Sequence, residues 1–291
     1  MPSVLIFYHY FHPDDVVSAQ HFGQLAEELK GRGWQVTAMP CNRGCRDESR
    51  KFSPEEDWNG IRIRRIWRPA LKQSSTLGRI FNQAWMVLSW SLKAFNFRLK
   101  PDALIIGTDP ILSVLVAISW KLIRPKVKIA HWCFDLYPEA AIGEGMLKRN
   151  GLVVKLLTPL LRASYNSCDL LADIGPCMRT LLEVYHPRGQ KATLTPWALE
   201  EPDQPAAIDP EERENLFGKS RLGLLYSGTF GRAHSSDLFL ALARKLRGQP
   251  IRFVFSVRGN CADRLKSEIT SDDENILFTA FAPQDYLLRR L

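Results

Sequence analysis

Short apolar runs rich in β-branched residues alternate along the chain with segments whose apolar residues recur every three or four positions. The first such pair is the run at 4–8 and the helical pattern at 22–29, which two glycines follow at 31 and 33. The other runs predicted to be strands lie at 34–39, 61–66, 103–106, 127–130, 169–174, 192–194, 222–226, 251–255 and 275–278. Strands that alternate with helices at these lengths predict an α/β protein with doubly wound parallel sheets and right-handed crossovers.

The texture changes between Pro196 and Lys219, where prolines and carboxylates cluster and large apolar residues are few. This change predicts an N-terminal Rossmann-like domain at 1–196, a linker at 197–220 and a C-terminal Rossmann-like domain at 221–291. The second domain has three predicted strands and a helix that starts near Gln284. Because such a sheet leaves one edge uncovered, we expect this second domain to be incomplete.

Two helical stretches are unusually apolar. In the stretch 76–100, one helical face carries Leu77, Ile80, Phe81, Ala84, Trp85, Leu88, Leu92 and Phe95, while Met86, Trp90 and Phe97 lie off it. The stretch 152–161 has a similar character, and basic residues flank both stretches. A helix that is apolar nearly all round is either packed in a core or interface, or lies in a membrane surface.

The net charge of +8 is uneven, with +7 in residues 1–150 and +1 in residues 151–291. A basic half favours an anionic partner such as a phosphate-bearing lipid or the inner leaflet of a membrane, although a merely well-solvated basic surface is the alternative. No nucleic-acid-binding module is recognisable. Six scattered cysteines without a Cys-x-x-Cys pair predict reduced cytoplasmic thiols and no zinc site, and residues 1–20 lack a signal-peptide pattern.

Two loops of the first half carry candidate chemistry directly after predicted strands, where α/β sheets bind ligands. The first contains Tyr10 and two histidines, His9 and His12, which can donate to phosphates or hydroxyls, and it leads to a helix that we expect Ser18 to cap. The alternative is that its aromatic residues pack and its histidines are solvated.

The second loop spans 131–139. His131, Asp135 and Glu139 offer acid, base or hydroxyl-orienting groups at this point of the chain. Alternatively, Asp135 and Glu139 cap the following helix.

The second half has a candidate anion-binding turn at 226–234. Its glycines allow close backbone approach, the following helix start favours an anion, and an arginine offers a fork for a diphosphate. The strand after it ends in Arg258 and Gly259, which we expect to face the same ligand. The candidate ligand-binding residues of these two segments are Gly228, Thr229, Gly231, Arg232, His234, Arg258 and Gly259.

At these motifs the chain resembles glycosyltransferase family 4, especially the branch that builds bacterial O-antigen of lipopolysaccharide, capsule and exopolysaccharide. The most specific match is 226–234, which is similar to the family's Tyr-Ser-Gly-Asn-Leu-Gly-Arg-x-His segment. Further matches are the loop 10–13, the helix and strand at 24–37, the block Asp-Leu-Tyr-Pro-Glu at 135–139 and the segment 195–198.

The resemblance implies a GT-B fold, a UDP- or GDP-sugar donor, no metal or other cofactor, and retention of anomeric configuration. By the match, Arg232 and the Gly228/Gly231 turn hold the donor diphosphate, and the other candidate residues at 228–234 and 258–259 complete the donor site. Asp135 lies near the sugar and the acceptor, and Asp135 and Arg232 are the predicted catalytic residues. The predicted acceptor-side residues are His9, Tyr10, His12, His131 and Glu139. The chain departs from the family pattern at 14–17, where paired small glycines are replaced, and at 233–238, where the donor-site lysine has no counterpart. The family's Glu-x7-Glu segment would lie beyond Leu291.

These observations predict a retaining glycosyltransferase of the hexosyltransferase type. It would move a sugar from a nucleotide-sugar to a polyprenyl-diphosphate-linked or saccharide acceptor in cell-surface polysaccharide biosynthesis. We expect it in the cytoplasm, with peripheral contact to the inner face of the plasma membrane left open. The alternatives are a truncated, inactive fragment that keeps its fold and acceptor binding, and a GT-B-like sugar-nucleotide epimerase.

Overall fold

A computed structural model describes residues 1–71, 75–199, 209–231, 234, 236–259 and 261–282. The chain divides into two compact units, Met1–Leu199 and Glu200–Leu291. Each unit has its own sheet and its own apolar core.

The first unit is built on an eight-stranded sheet in the order β3-β4-β2-β1-β5-β6-β7-β8. All neighbouring pairs are parallel except the edge pair β3–β4. The chain moves outward from β1 in one direction through β2 and then returns to β5 on its other side, so the order reverses between β1 and β5. The strands are β1 (Ser3–Phe7), β2 (Gln35–Ala38), β3 (Glu55–Trp58), β4 (Ile61–Arg64), β5 (Ala103–Gly107), β6 (Lys128–Trp132), β7 (Leu170–Asp173) and β8 (Gln190–Thr193).

Helices cover both faces of this sheet because its central strands are apolar on both sides. Helices α2, α3 and α5 pack on the face that carries Leu5 and Phe7, and α1 packs on the face that carries Val4 and Ile6. The helices of the unit are α1 (Val17–Gly31), α2 (Thr76–Leu92), α3 (Val116–Ile123), α4 (Glu139–Gly143), α5 (Leu152–Asn166) and α6 (Pro176–Glu183). Short 3₁₀ segments at Lys93–Phe95 and Ser113–Leu115 adjoin α2 and α3.

The second unit has a three-stranded parallel sheet in the order β11-β10-β9. Its core joins Phe230, Phe253 and Phe255 to Leu240 of α8 and Leu265 of α9. Its elements are α7 (Pro210–Phe217), β9 (Leu222–Thr229), α8 (Ser236–Lys245), β10 (Ile251–Arg258), α9 (Ala262–Glu268) and β11 (Ile276–Thr279). The helix predicted from Gln284 lies outside the described residues.

The doubly wound α/β fold predicted from the apolar pattern is confirmed, and every predicted strand overlaps an observed one. The polar segment at 42–59 is not all loop, because Glu55–Trp58 forms the antiparallel edge strand β3. The Ser18 cap is also wrong: α1 begins at Val17, and its N-cap residue Val16 makes no side-chain cap.

The predicted linker 197–220 is corrected at both ends. Trp197 stacks on Trp132 with 5.7 Å between ring centroids and donates through Nε1 to Gln24 Oε1 at 2.5 Å, so it belongs to the first unit. Helix α7 buries Leu216 and Phe217 against Val254 of the second unit. Apolar burial therefore extends the first unit from residue 196 to residue 199. It also places α7, which lies within the predicted linker, in the second unit.

The apolar face predicted on α2 does not face the core. The buried residues of α2 include Met86 and Trp90, which lie off that face. Trp90 stacks on Phe7 at 5.3 Å, and its indole N–H donates to the carbonyl of Met39. The predicted face is largely exposed, including Leu77, Ile80 and Phe81. Among the described helices, none combines the length and hydrophobicity that crossing a membrane requires.

Candidate active site

Three loops meet where neighbouring strands of the first unit end. They follow β1, β5 and β6, which are adjacent in the sheet. Parallel strands place their carboxyl ends at one edge, and the crevice forms where the strand order reverses, here between β1 and β5. The loops thereby bring together His9, Asp109 and Asp135, which are far apart in the sequence.

The loops after β1 and β5 are joined by His9 and Asp109. The backbone N–H of His9 donates to the carbonyl of Asp109 at 2.9 Å, and Nδ1 of His9 lies 3.0 Å from Oδ1 of Asp109. His9 is buried, with 1% of its surface exposed. Burial alone would lower the pKa of His9, but the charge of Asp109 and hydrogen bonds with Asp109 and Cys41 outweigh it and raise that pKa to about 9. The His9 side chain is therefore an imidazolium at neutral pH.

Neutral donors surround this ion pair. Burial, and secondly the charge of Asp109, raise the pKa of the Tyr8 and Tyr10 hydroxyls far above their usual value. Burial and the charges of Asp14 and Asp109 raise the pKa of the Cys45 thiol to about 12. These groups keep their protons at neutral pH and therefore add no negative charge to the crevice.

Asp135 is the most accessible of the predicted acid or base groups. The surrounding protein, and then the charge of Asp109, raise the pKa of its carboxyl group. The backbone N–H of Phe134 donates to Oγ1 of Thr108 at 3.2 Å, which ties the loop after β6 to the loop after β5. Asp135 lines a small depression together with Thr108, Ser113, His131, Tyr137 and Tyr165. An accessible carboxylate with a raised pKa beside a second carboxylate can orient a sugar hydroxyl or accept its proton.

The other predicted acceptor-side residues have supporting positions. His131 is buried on the wall of the depression; burial lowers its pKa to about 4, and Nδ1 lies 2.8 Å from the carbonyl of Ile106. Tyr10 is buried and stacks on His9. His12 stacks on Trp58 of β3 with ring centroids 4.5 Å apart. Because His9 and Tyr10 are buried, neither has an exposed surface through which it could contact a ligand directly.

Glu139 lies in the first turn of α4 and accepts a 2.5 Å hydrogen bond from the hydroxyl of Tyr185. Its other carboxylate oxygen is buried without a hydrogen-bond partner among the described residues. The position in the first turn agrees with the helix-end interpretation of this residue. Asp135 lies outside α4, whose N-cap is Pro138, and does not cap it.

Asp109 is a residue of the candidate site that the sequence patterns did not predict. It lies in the short segment Gly-Thr-Asp-Pro between an apolar strand and an apolar helix, and it carries no motif of its own. Its position directly after a predicted buried strand was the available signal, because the carboxyl ends of β5 and β6 share one edge.

The predicted donor turn of the second unit follows β9 and precedes α8, as the sequence indicated. Gly228 has a φ of +153°, in a region that side chains disfavour. The backbone N–H of Phe230 donates to the carbonyl of Arg258 at 2.6 Å, and that of Cys261 donates to the carbonyl of Phe230 at 3.2 Å. Backbone hydrogen bonds thus hold the loops after β9 and β10 side by side.

Gly259 is required by this crossing of the loops. It has a φ of +119°, and a Cβ atom there would lie 2.7 Å from the carbonyl oxygen of Phe230. Thr229 lies beside it at the end of β9. Gly259 therefore shapes the predicted donor site through its backbone.

The remaining donor-side residues differ in placement. The N–H of Gly231 donates to Nδ1 of His234 at 3.0 Å, so His234 braces the turn, and its ring stacks on Phe230. The guanidinium of Arg258 lies 4.0 Å from the centroid of the Phe281 ring. Arg232 lies outside the described residues. Within the described part of the chain, no group of three or more His, Cys, Asp or Glu side chains is placed to hold a metal ion.

Comparison with known proteins gives one sequence relative and several structural ones. The chain is 24% identical over 209 residues to a probable glycosyltransferase, WbjE, of Pseudomonas aeruginosa; the match covers 70% of this chain and 51% of that protein. The chain thus spans about half the length of the curated relative it matches. No family model matches the chain.

The fold is that of solved sugar-transferring enzymes. Sucrose-phosphate synthase from Thermosynechococcus elongatus superposes with a TM-score of 0.69 at 15% identity, over 100% of this chain and 73% of that one. The catalytic domain of starch synthase IV from Arabidopsis thaliana, solved with ADP and acarbose, superposes with a TM-score of 0.63 at 11% identity, over 99% and 76% of the two chains. By this likeness the chain has the α/β fold of GT-B glycosyltransferases.

Proposed function

We propose that this protein is a glycosyltransferase that moves a sugar from a nucleotide-sugar donor to a hydroxyl of an acceptor. The observation that carries the proposal is the pair of carboxylates, Asp109 and Asp135, at the strand-order reversal of a chain with this fold and this sequence relative. A sugar acceptor needs a group that orients and partly deprotonates its attacking hydroxyl, and this pair meets that requirement.

Donor binding is assigned to the second unit. By resemblance, the glycine-containing β9–α8 turn holds a nucleoside diphosphate and Arg232 neutralises the departing charge. Stabilising that charge is the main electrostatic task of the reaction, in which the bond from the anomeric carbon to the donor diphosphate breaks and a bond to the acceptor oxygen forms. The proposal includes retention of anomeric configuration and a UDP- or GDP-sugar as donor.

Acceptor binding is assigned to the first unit, with Asp135 in contact with the acceptor and His9 holding Asp109 in place. The acceptor proposed is a polyprenyl-diphosphate-linked or free saccharide of cell-surface polysaccharide biosynthesis, reached from the cytoplasmic side of the membrane. The basic balance of residues 1–150 supports an anionic acceptor of this kind.

The first test measures donor binding and transfer separately on the full-length protein. Calorimetry with UDP, GDP and their sugars is expected to detect binding of one pair, and radiolabelled donor with a lipid-extract acceptor is expected to detect transfer. The Asp135→Asn variant should bind donor as the wild type does and transfer sugar at least about 100-fold more slowly. Glu144→Gln, which changes an exposed carboxylate at the C-cap of α4, is the matched control and should retain activity.

Each other outcome contradicts a stated part of the proposal. Absence of binding to every nucleotide and nucleotide-sugar would exclude glycosyl transfer. Binding without transfer would favour the alternative of an inactive protein that keeps its fold and binds ligands. Interconversion of the donor sugar in the absence of acceptor would indicate an epimerase.

A further inference from the structure

The first unit exposes large apolar side chains on two helices, α2 and α5, and at Trp67 before α2. Leu77 of α2 is 79% exposed and Leu152 of α5 is 73% exposed, and further large apolar residues of the same helices are exposed with them, which is informative as a patch. We name the exposed set the apolar rim. It consists of Trp67, Leu77, Ile80, Phe81, Leu152, Val153, Leu156 and Leu160.

The two halves of the apolar rim lie on the same side of the sheet. Helices α2 and α5 both pack on the sheet face that carries Phe7, with α3 in contact with each of them. Each helix follows a strand end and leads to a parallel strand, so its N-terminus lies at the carboxyl edge of the sheet. The apolar rim is therefore at the same edge as the crevice of Asp109 and Asp135.

Helix α5 connects the two features directly. Its buried Leu161 and Tyr165 line the depression that contains Asp135, while Leu156 and Leu160 of the same helix are exposed. An acceptor bound at Asp135 thus lies within about one helical turn of exposed apolar surface.

The charges beside the apolar rim are all of one sign on these helices. Neither α2 nor α5 contains an Asp or Glu. Exposed basic residues lie on or just before them: Arg79, Lys148, Arg149, Lys155 and Arg162. In the described part of the chain, none of these five forms an ion pair.

Aromatic residues add a third feature. Trp85 donates through its indole N–H to the carbonyl of Trp67 at 2.8 Å, and the two rings meet edge to face at 5.5 Å. Phe81 stacks beside Trp85 at 6.5 Å. Tryptophan side chains of this kind favour the level of lipid headgroups, where an apolar body and a polar N–H are both accommodated.

We propose that the apolar rim is a docking surface for a bilayer that contains anionic lipids. Exposed leucine, phenylalanine and tryptophan would enter the headgroup region, and the five cations would contact lipid phosphates. A second copy of the chain fits this surface less well, because a symmetric interface would bring the same unpaired cations of both copies together. The orientation places the Asp109/Asp135 crevice next to the membrane, and this last step depends on the proposed function with a lipid-linked acceptor.

Vesicle co-sedimentation tests the docking without donor or acceptor. The full-length protein is expected to bind vesicles of phosphatidylcholine and phosphatidylglycerol in equal parts, and to bind pure phosphatidylcholine at least about tenfold more weakly. Replacement of Lys148 and Arg149 with glutamine should weaken binding to the anionic vesicles by about fivefold for each cation. High salt should also weaken the binding of the wild type to these vesicles.

The apolar contribution has a matched control on the same helix. The variant Leu77→Ser/Phe81→Ser/Leu152→Ser/Leu156→Ser should lose binding by more than about tenfold. Leu88 and Leu92 are similarly exposed but lie in the C-terminal half of α2, outside the apolar rim, so Leu88→Ser/Leu92→Ser should bind within about twofold of the wild type. Circular dichroism verifies that each variant is folded.

Two results would overturn the docking proposal. The first is equal vesicle binding by the two serine variants. The second is a wild type that forms a concentration-dependent dimer and does not bind vesicles, together with a rim variant that is monomeric. Failure of sugar transfer would not affect it, since docking is measured without substrates. Conversely, a protein that transfers sugar but does not bind anionic vesicles would contradict the docking proposal and leave the proposed function intact.

Discussion

His9 illustrates how a single buried residue joins two loops of the site. Its imidazole lies inside the protein, where a charge is costly unless it is paired, and Asp109 supplies the opposite charge at 3.0 Å. The carboxylate of Asp109 reaches partly into solvent, so the pair links the core to the crevice. We infer that His9 positions Asp109 and does not contact a ligand itself.

This pair predicts a pH dependence of folding. The folded-state pKa of His9 is about 9, above its ordinary 6.5, so its contribution to stability is complete below pH 6.5 and is lost as the pH rises through 9. A pKa difference of this size corresponds to about 3 kcal/mol in the free energy of unfolding. Urea unfolding of the wild type across this pH range should show a decrease of that order.

The Asp109→Asn variant should remove this decrease. Without the carboxylate, burial disfavours the charged imidazole, and His9 is neutral throughout the range. Asp102→Asn is the control, because hydrogen bonds with Ser3 keep the pKa of Asp102 below its usual value and far from this window. A wild type and an Asp109→Asn variant with the same pH dependence between 6.5 and 9 would contradict the assignment.

At the scale of elements, Gly107 permits β5 to lie against the residues that support the site. A Cβ atom at 107 would come within 2.5 Å of Cζ of Phe22 in α1 and closer still to Cδ2 of Tyr8. The Tyr8 and Phe22 rings are stacked at 4.2 Å, so neither has space to move without the other. The glycine therefore couples strand β5 to helix α1 and to the loop after β1.

We expect Gly107→Ala to lower the free energy of unfolding by about 1–3 kcal/mol, because it overpacks a buried contact. Gly143→Ala is the matched control: it is exposed at the end of α4, and its added Cβ meets nothing within 4 Å. Thermal unfolding of the two variants should differ in melting temperature, with Gly143→Ala equal to or above the wild type. Equal melting temperatures for both variants would show that the Tyr8 and Phe22 rings can shift to accommodate the added Cβ atom without a loss of stability.

Asp273 connects the elements of the second unit. Its buried carboxylate accepts hydrogen bonds from Nε of Arg244 at 3.0 Å and from the backbone of Thr270 at 3.0 Å, and it pairs with Arg247. These bonds, the one with Arg244 first, keep the pKa of Asp273 far below its usual value. They fasten the end of α8 to the turn before β11.

The Asp273→Asn substitution removes the charge from this junction and is expected to destabilise the protein by about 2–3 kcal/mol. The neighbouring Asp272 is exposed, so Asp272→Asn should change the free energy of unfolding by less than about 0.5 kcal/mol. Chemical denaturation followed by far-UV circular dichroism measures both. A cost at Asp272 as large as that at Asp273 would refute the role of burial.

At the scale of the whole molecule, each unit has an apolar core built from its own described residues. Among the described residues, the clusters around Phe7 and Phe22 belong to the first unit, and the clusters around Phe253 and Val254 belong to the second. A unit that buries its own apolar residues has the main requirement for folding alone.

We therefore expect residues 1–199, expressed alone, to unfold cooperatively and to bind anionic vesicles within about twofold of the full chain, since the apolar rim and its cations all lie in this part. Near-ultraviolet circular dichroism and vesicle co-sedimentation measure the two properties. A non-cooperative transition would show that the first unit depends on the second for its core.

The sequence alone determined the features that depend on local periodicity. Apolar runs predicted the parallel strands, and the glycines at 228 and 231 marked the strand–helix connection of the second unit. Asp135 was identified because its loop follows a strand, and strand ends converge in every sheet of this class.

Only the tertiary structure decided which side of each element is buried and which distant residues meet. Met86 and Trp90 face the core while the more periodic Leu77, Ile80 and Phe81 face outward, because the position of α2 against β1 and α3 selects its buried side. Asp109 became part of the site because β1 and β5 are neighbours, although 100 residues separate it from His9. Periodicity is a property of one segment, whereas burial and pairing depend on the partner that another segment supplies.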